Sequence, residues 1–404
     1  MPYTRSRFGV IFLTVFIDFA GFGIILPVIP YYAQEFGAGG FGYGALIGIF
    51  SLLQFSATML LGRLSDRIGR RPVLLGTIFF AALGYLAFAA AQSYAVLFLA
   101  RMVSGFAAGN ISVAQAYMAD ITAPSERSRG MGLIGAAFGL GFIVGPALGG
   151  VAGHYGGPAG AGLAAAGLCL LNFFSAFLLL KESLHQEHRA KRALLDIEHI
   201  VQGLRDPLLG RLFAVFGLIP FAFSGFIVSF PLYAGAEFGW DEIELAKYFT
   251  LVGLVAASVQ GYVFGKLSRR FGDRKLIVIG TIGMAVPMAL TSFVPAAIWL
   301  YVLGFAIAFA NSILSPGLMG MISTLASATE QGAMLGAAQA LSSLGRLSGP
   351  FVFGELFDLA SPTAAFLAAA GVMVVGWLIL LRAPGKPDAV VPTGSSSPPS
   401  TRDP

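Results

Sequence analysis

The chain has 404 residues, 56% of them hydrophobic and 11% charged, with a formal net charge of +5. Soluble domains carry about 25% charged residues, so this composition excludes an ordinary soluble fold and makes lipid the main solvent. The single cysteine, Cys169, excludes an internal disulfide or a thiolate metal cluster.

In chain order, apolar stretches near residues 8–30, 44–62, 72–92, 96–118, 130–153 and 159–180 are each long enough for the ~20 residues that cross a ~30 Å hydrocarbon core. The first follows Arg5 and Arg7, as the apolar run of a signal peptide would. It is too long for one and lacks a small-residue cleavage site, so it reads as a transmembrane helix. Residues 182–206 form a charged connector in which Leu194, Ile197, Val201 and Leu204 recur at helical spacing, which predicts a helix on the inner membrane surface. Asp206 followed by Pro207 suits a helix start. Six further spans lie near 208–234, 245–265, 275–294, 297–321, 333–354 and 363–381. Residues 384–404, rich in Pro, Ser and Thr, cannot bury enough apolar surface to fold and predict a disordered cytoplasmic tail.

Basic residues orient the spans, because short loops rich in Lys and Arg stay in the cytoplasm. One side of the twelve-span layout holds 22 of the 25 basic residues, the other holds only Lys247, and Arg101 and Arg346 fall inside spans. Both termini are therefore expected in the cytoplasm, and the positive charge records topology, with no nucleic-acid partner implied.

Residues 62–72 (GRLSDRIGRRP) recur as residues 265–275 (GKLSRRFGDRK) at an offset of 203. Glu126 to Pro146 aligns with Glu330 to Pro350 at an offset of 204, and Pro30 to Gly37 aligns with Pro231 to Gly239 with one insertion. The chain is thus a duplication. The expected layout is a six-helix N-terminal half (1–181), the connector (182–206), a six-helix C-terminal half (207–383) and the tail (384–404). An even number of spans per repeat inserts both halves in the same sense, and parallel repeats of this kind bind substrate between the halves near the midplane.

These motifs resemble the major facilitator superfamily, and within it the drug:proton antiporters that include tetracycline exporters. The loop at 62–72 is similar to the family's signature between helices 2 and 3, and Leu97 to Gly105, with Arg101, to its helix 4 motif. Residues 141–150 (GFIVGPALGG) resemble the helix 5 motif of antiporters, and residues 18–30 (DFAGFGIILPVIP) the first helix of tetracycline exporters. The resemblance implies an all-α membrane protein of twelve helices in two pseudo-symmetric halves; no cofactor is expected. It also implies a cavity lined by helices 1, 4, 7 and 10, which selects Asp18, Asn110, Gln115 and Asn311, with Phe22, Phe226 and Phe309 as aromatic walls. Tetracycline exporters carry further intramembrane aspartates in helices 3 and 9. Here Gly84 and Tyr85 stand in the first place and the ninth span has no acid, so tetracycline itself is not implied.

Asp18 lies about ten residues into the first span, roughly 15 Å deep at 1.5 Å per residue. A charged Asp there costs about 2.5 to 3.5 kcal/mol, so such residues face cavities and bind protons, ions or substrate. A structural pairing with an arginine is the alternative. Arg101 is expected either to serve the proton relay with Asp18, as the resemblance implies, or to form a structural ion pair. At 100° per residue it shares a face with Gly105, Ser112 and Gln115, while Asn110 points nearly opposite. Gln339, Ser342, Ser343 and Arg346 form a polar stripe in the eleventh span. Arg346 aligns with Phe142 in the repeat, an asymmetry suited to substrate recognition. The alternative is an interhelical bond from Arg346 to Asp358, Glu355 or a carbonyl.

Gly62, Asp66, Arg67, Gly69, Arg70 and Arg71 are expected to form a charged, tightly turned latch between helices that also enforces topology. Gly141, Gly145 and Pro146, with Pro350 in the second copy, read as close-packing and bending positions. Gln54, Asn172 and Gln260 are further polar groups within spans. His185 and His188 lack companion ligands, so no metal site is predicted.

Together these readings predict a monomeric secondary transporter of a bacterial inner membrane, without enzymatic activity. It would exchange protons for hydrophobic or amphipathic, drug-like or tetracycline-like small molecules. Movement of a lipid, sugar or metabolite by the same fold remains open, as does a non-transporting sensor or scaffold.

Overall fold

The computed structural model describes residues 3–123, 126–183, 206–325 and 331–382. The connector's apolar pattern, His185, His188 and the tail lie outside the described residues.

Among the described residues the chain is helical, without strands. The spans are α1 (Tyr3–Ile25), α2 (Gly40–Ile68), α3 (Arg70–Ala89) and α4 (Tyr94–Ile121). A helix then runs Arg127–Leu179, but Gly157, at φ 59° and ψ −165°, adopts a conformation open essentially only to glycine. The break divides it into α5 (127–156) and α6 (158–179). The second half comprises α7 (Leu209–Phe238), α8 (Glu242–Phe271), α9 (Asp273–Phe293), α10 (Ile298–Leu325), α11 (Gln331–Leu359) and α12 (Pro362–Leu381). Ten stretches are long and apolar enough to cross a membrane, with α5 and α6 forming one of them. α11 is absent from that set: besides Arg346 it carries Gln339, Ser342, Ser343, Ser348 and several glycines, which lower its apolarity.

The first predicted span ends early. α1 stops at Ile25, and Pro27 lies in a turn before a short helix, Ile29–Glu35. Asp206 accepts from the Leu208 and Leu209 amides at 2.8 and 2.7 Å, which starts α7 close to its expected position. Exposed side chains such as Leu99, Phe174, Leu178, Leu254, Phe305 and Val375 face lipid.

The duplication is visible in backbone detail. Gly69, between α2 and α3, and Gly272, between α8 and α9, hold φ at 109° and 78°. Gly145 packs against Ala20 and Gly23 of α1, and its repeat partner Gly349 packs against Phe221 and Ser224 of α7. Gly150 meets Ala246 of α8 across the halves, as Gly354 meets Gly40 of α2.

These cross-half approaches concentrate on one face, opposite the face where α1 begins and α12 ends. There Tyr31 donates to the Trp240 carbonyl at 2.6 Å, and Asp358 accepts from the Gly40 and Phe41 amides at 2.7 and 2.8 Å. Burial, followed by nearby Glu242, raises the Tyr31 hydroxyl above its usual range, so it remains a donor. Val228 and Leu232 of α7 join the N-half core, and Leu26 joins the C-half core. Toward the terminal face the halves part: Gly139 still reaches Ala257, whereas Gly132, Gly135 and Gly261 have nothing within 4 Å among the described residues. Among the described residues the interior between the halves is closed at the far face and open toward the termini.

Candidate functional site

The site begins with a break in α4. A 3-10 turn, Ala108–Asn110, interrupts the α-helix, and Gly109 lies so close to Ala57 and Thr58 of α2 that a Cβ there would meet Thr58 N at 2.7 Å. Side chains collect the disturbed carbonyls: Gln54 Nε2 donates to Ala108 O at 3.4 Å, and Ser112 Oγ to Gly109 O at 3.2 Å. Asn110 is thereby turned inward, 2% exposed, and its Nδ2 donates to Asp18 Oδ2 at 2.7 Å. A uniform 100° helix would have turned Asn110 away from Arg101. The tighter turn, with about three residues per turn, narrows that angle by about 60°, and both side chains reach α1, Asn110 at Asp18 and Arg101 near Phe22.

Arg101 is 2% exposed, yet no carboxylate pairs with it among the described residues. Its guanidinium lies over the Phe50 ring at 4.3 Å and the Phe22 ring at 5.9 Å, and Nε donates to Leu46 O at 3.4 Å. Among the described residues Arg101 makes no direct bond to Asp18 and no ion pair. Ring faces and a carbonyl solvate the cation instead. Tyr43, whose buried hydroxyl has no partner, and Tyr85, packed against Gly21, lie in the electrostatic surroundings of Arg101.

Phe22 meets Phe50 at 5.1 Å and Phe142 at 5.8 Å, and Phe142 meets Phe138 at 5.0 Å, building an aromatic wall on the N half. The other expected wall residues are placed differently. Phe226 is buried in the C-half core against Phe230 and Phe366 of α12, because α7 is apolar all round and its inward side is the core. Phe309 packs on Val255 and Val259 of α8 and stacks on Phe305, with no ring contact to Phe22. Gln115 is exposed and Asn311 half-buried, and neither joins the Asp18–Asn110 pair. Sequence reasoning missed Tyr43, Phe50, Tyr85 and the wall role of Phe142; the only available signal was a polar hydroxyl in an apolar span at the two tyrosines.

On the C half, Arg346 donates to Ser342 Oγ at 2.9 Å and Ser343 Oγ at 3.0 Å. Gln339, two turns before Arg346 on the same stripe, is exposed. Of the alternative partners, Asp358 is engaged at the α2 amides, and among the described residues Arg346 bonds neither it nor Glu355.

The charged loop forms its bonds within the N half. Arg70 pairs with Asp66 at 2.6 Å and Asp120 at 3.2 Å and donates to Ser65, while the Arg70 and Arg71 amides donate to Glu182 at 2.9 and 3.2 Å. Arg71 also reaches the Phe177 carbonyl at 2.8 Å, whereas Arg67 is exposed. The cluster ties the α2–α3 loop to the ends of α4 and α6. Gly62 faces Ser112 of the same half. Gly141, Gly145 and Gly149 seat α5 on α1 in near backbone contact, Pro146 abuts Gly23, and the Pro350 carbonyl closes on Gly44 of α2. A cleft of about 270 Å³ between Tyr31, Gln34, Gly235 and Trp240 lies at the closed face, remote from Asp18.

A sequence model of the Major Facilitator Superfamily matches residues 11–270 and 254–402. The tetracycline resistance protein, class G, of Vibrio anguillarum is 32% identical over 389 residues, covering 93% of this chain and 96% of that protein. Multidrug resistance protein 2 of Bacillus subtilis is 29% identical, covering 92% and 94%. The crystal structure of the human organic anion transporter MFSD10 superposes with a TM-score of 0.67 at 26% identity, covering 94% of this chain and all of that one. The twelve-helix duplicated fold and these matches lead to one assignment: the chain belongs to the major facilitator superfamily and is similar along nearly its whole length to tetracycline and multidrug resistance members.

Proposed function

We propose that this transporter exports hydrophobic or amphipathic small molecules in exchange for protons, with Asp18 as the proton site. The observation that carries the reading is the Asp18–Asn110 pair. Asp18 is the one carboxylate deep within a span among the described residues, and it is held by a neutral amide instead of a cation. An asparagine can serve both protonation states, since Nδ2 donates to a carboxylate and Oδ1 accepts from a carboxylic O–H. A cation would favour only the ionised form.

Alternating access supplies the cycle. The halves meet at the far face and part toward the termini. With the basic loops placed in the cytoplasm, the interior opens to the cytoplasm of a bacterial inner membrane, where a monomer loads its substrate. Rocking of the halves then exposes Asp18 outward for protonation. Each inward proton contributes about 2.3 kcal/mol per 100 mV of membrane potential, apart from any pH gradient.

The test is proton flux in proteoliposomes under an imposed pH gradient, with cationic, neutral and tetracycline-like compounds added in turn. Substrate-dependent flux should appear in the native protein and vanish in Asp18→Asn. Full pH-driven export by that variant would remove Asp18 from the coupling role.

A further inference from the structure

We propose that the interior receives an acidic group of the transported molecule on Arg346, so that the substrate is an amphipathic acid; this rests on the transport reading above and adds the chemistry of its cargo. Arg346 is the only basic residue in α11. Among the described residues its side-chain partners are two neutral hydroxyls of its own helix, Ser342 and Ser343, at 2.9 and 3.0 Å. A guanidinium offers five N–H donors in a planar fork that matches a carboxylate. Two hydroxyls leave most of that capacity unused, and no carboxylate among the described residues takes it up.

The placement of Arg346 separates it from lipid. At 100° per residue it lies within about 20° of Gln339 and Phe357 on α11, and Phe357 packs against the cores of both halves. The exposed apolar residues Leu344, Val352 and Leu359 occupy other directions. Arg346 is itself exposed, and at 100° per residue it lies between Gly345 and Gly349, which pack on α7, and Pro350, which closes on α2 of the other half, so its face opens on the space between the halves. It sits one turn on the open side of Pro350, whose carbonyl closes on Gly44, and is therefore near the closed end of that space.

The pseudo-symmetry describes the rest of the ligand. The repeat equivalent of Arg346 is Phe142, which belongs to the aromatic wall with Phe22 and Phe138. Equivalent positions of the two halves thus offer a ring surface and a cationic fork. A small inorganic anion would leave the rings unused, and a neutral apolar molecule would leave the fork unpaired. A flat apolar body carrying a carboxylate uses both. In such an environment a charge-assisted bidentate pair is stronger than a neutral hydrogen bond and geometrically selective.

Full-length protein in nanodiscs, titrated with dansylglycine and separately with its uncharged methyl ester, tests this by probe fluorescence. The native protein should bind the acid about ten-fold or more tightly than the ester, as expected for a hydrogen-bonded charge. Arg346→Ala should bring the two affinities together with the ester's unchanged, and Arg346→Lys should keep part of the preference. Equal binding of both probes, binding of neither, or a preference that persists in Arg346→Ala overturns the proposal. Proton flux is read separately in vesicles: its absence alongside a clear preference for the acid sinks the antiport reading and leaves this one standing.

Discussion

At the residue scale, the arrangement isolates one titratable group and surrounds it with neutral partners. Removing Asn110 is informative because, among the described residues, its side chain makes one hydrogen bond, to Asp18, and hydrogen bonds to charged groups contribute about 1.5 to 3 kcal/mol. Asn110→Ala is expected to slow substrate-driven proton exchange about ten-fold or more while leaving the protein folded, as measured by vesicle flux beside a thermal melt. Asp18 was legible in the sequence because a carboxylate inside an apolar span has a cost that function must offset. Arg346 and its serines were legible as a periodic stripe. The surroundings of Arg101 were not: its partner Phe50 is distant in sequence, and a ring that solvates a cation looks like any other apolar residue. Phe226 was misplaced for a related reason, since α7 has no polar side by which to orient a helical wheel.

At the element scale, glycine spacing sets how closely helices approach. A Cβ at Gly145 would lie 2.6 Å from the Ala20 carbonyl oxygen and 2.8 Å from Gly23 Cα, both backbone atoms that cannot rotate away. Gly135, nearly three turns earlier on the same helix, has nothing within 4 Å among the described residues. Overpacking costs about 1 to 3 kcal/mol in a well-packed interior. Gly145→Leu should therefore lower the melting temperature and the yield of folded protein in detergent, and Gly135→Leu should leave both near native values. Equal sensitivity at the two sites would contradict the packing account. The number and order of spans were legible because length and apolarity define them, and the α5–α6 break because no single crossing needs 53 residues. The 3-10 turn in α4 escaped notice. It arises from close approach of Gly109 to α2, a tertiary cause that leaves no local periodicity to read.

At the scale of the whole molecule, the duplication was plain from three aligned segments, but which end of the interior is closed depends on contacts between halves that no repeat encodes. The strongest of these is asymmetric. Asp358, at the end of α11, accepts from the first amides of α2 at 2.7 and 2.8 Å, filling positions that a helix start leaves without intrahelical partners. A carboxylate there also meets the positive end of the helix dipole. Both bonds cross the halves, so they exist only while the far face is closed and must break when it opens. Their loss should favour the opposite state by the value of charge-assisted bonds, about ten-fold or more in the ratio of the two conformations. Spin labels introduced through Glu35→Cys and Glu237→Cys, both exposed at that face, would report the change as a longer inter-label distance. Asp358→Ala should populate the longer distance and Asp358→Asn, which keeps one acceptor oxygen, should fall between it and the native protein. An unchanged distance distribution in both variants would show that closure rests on the apolar packing of Leu26, Val228 and Leu232 and the Tyr31–Trp240 bond, with Asp358 merely following.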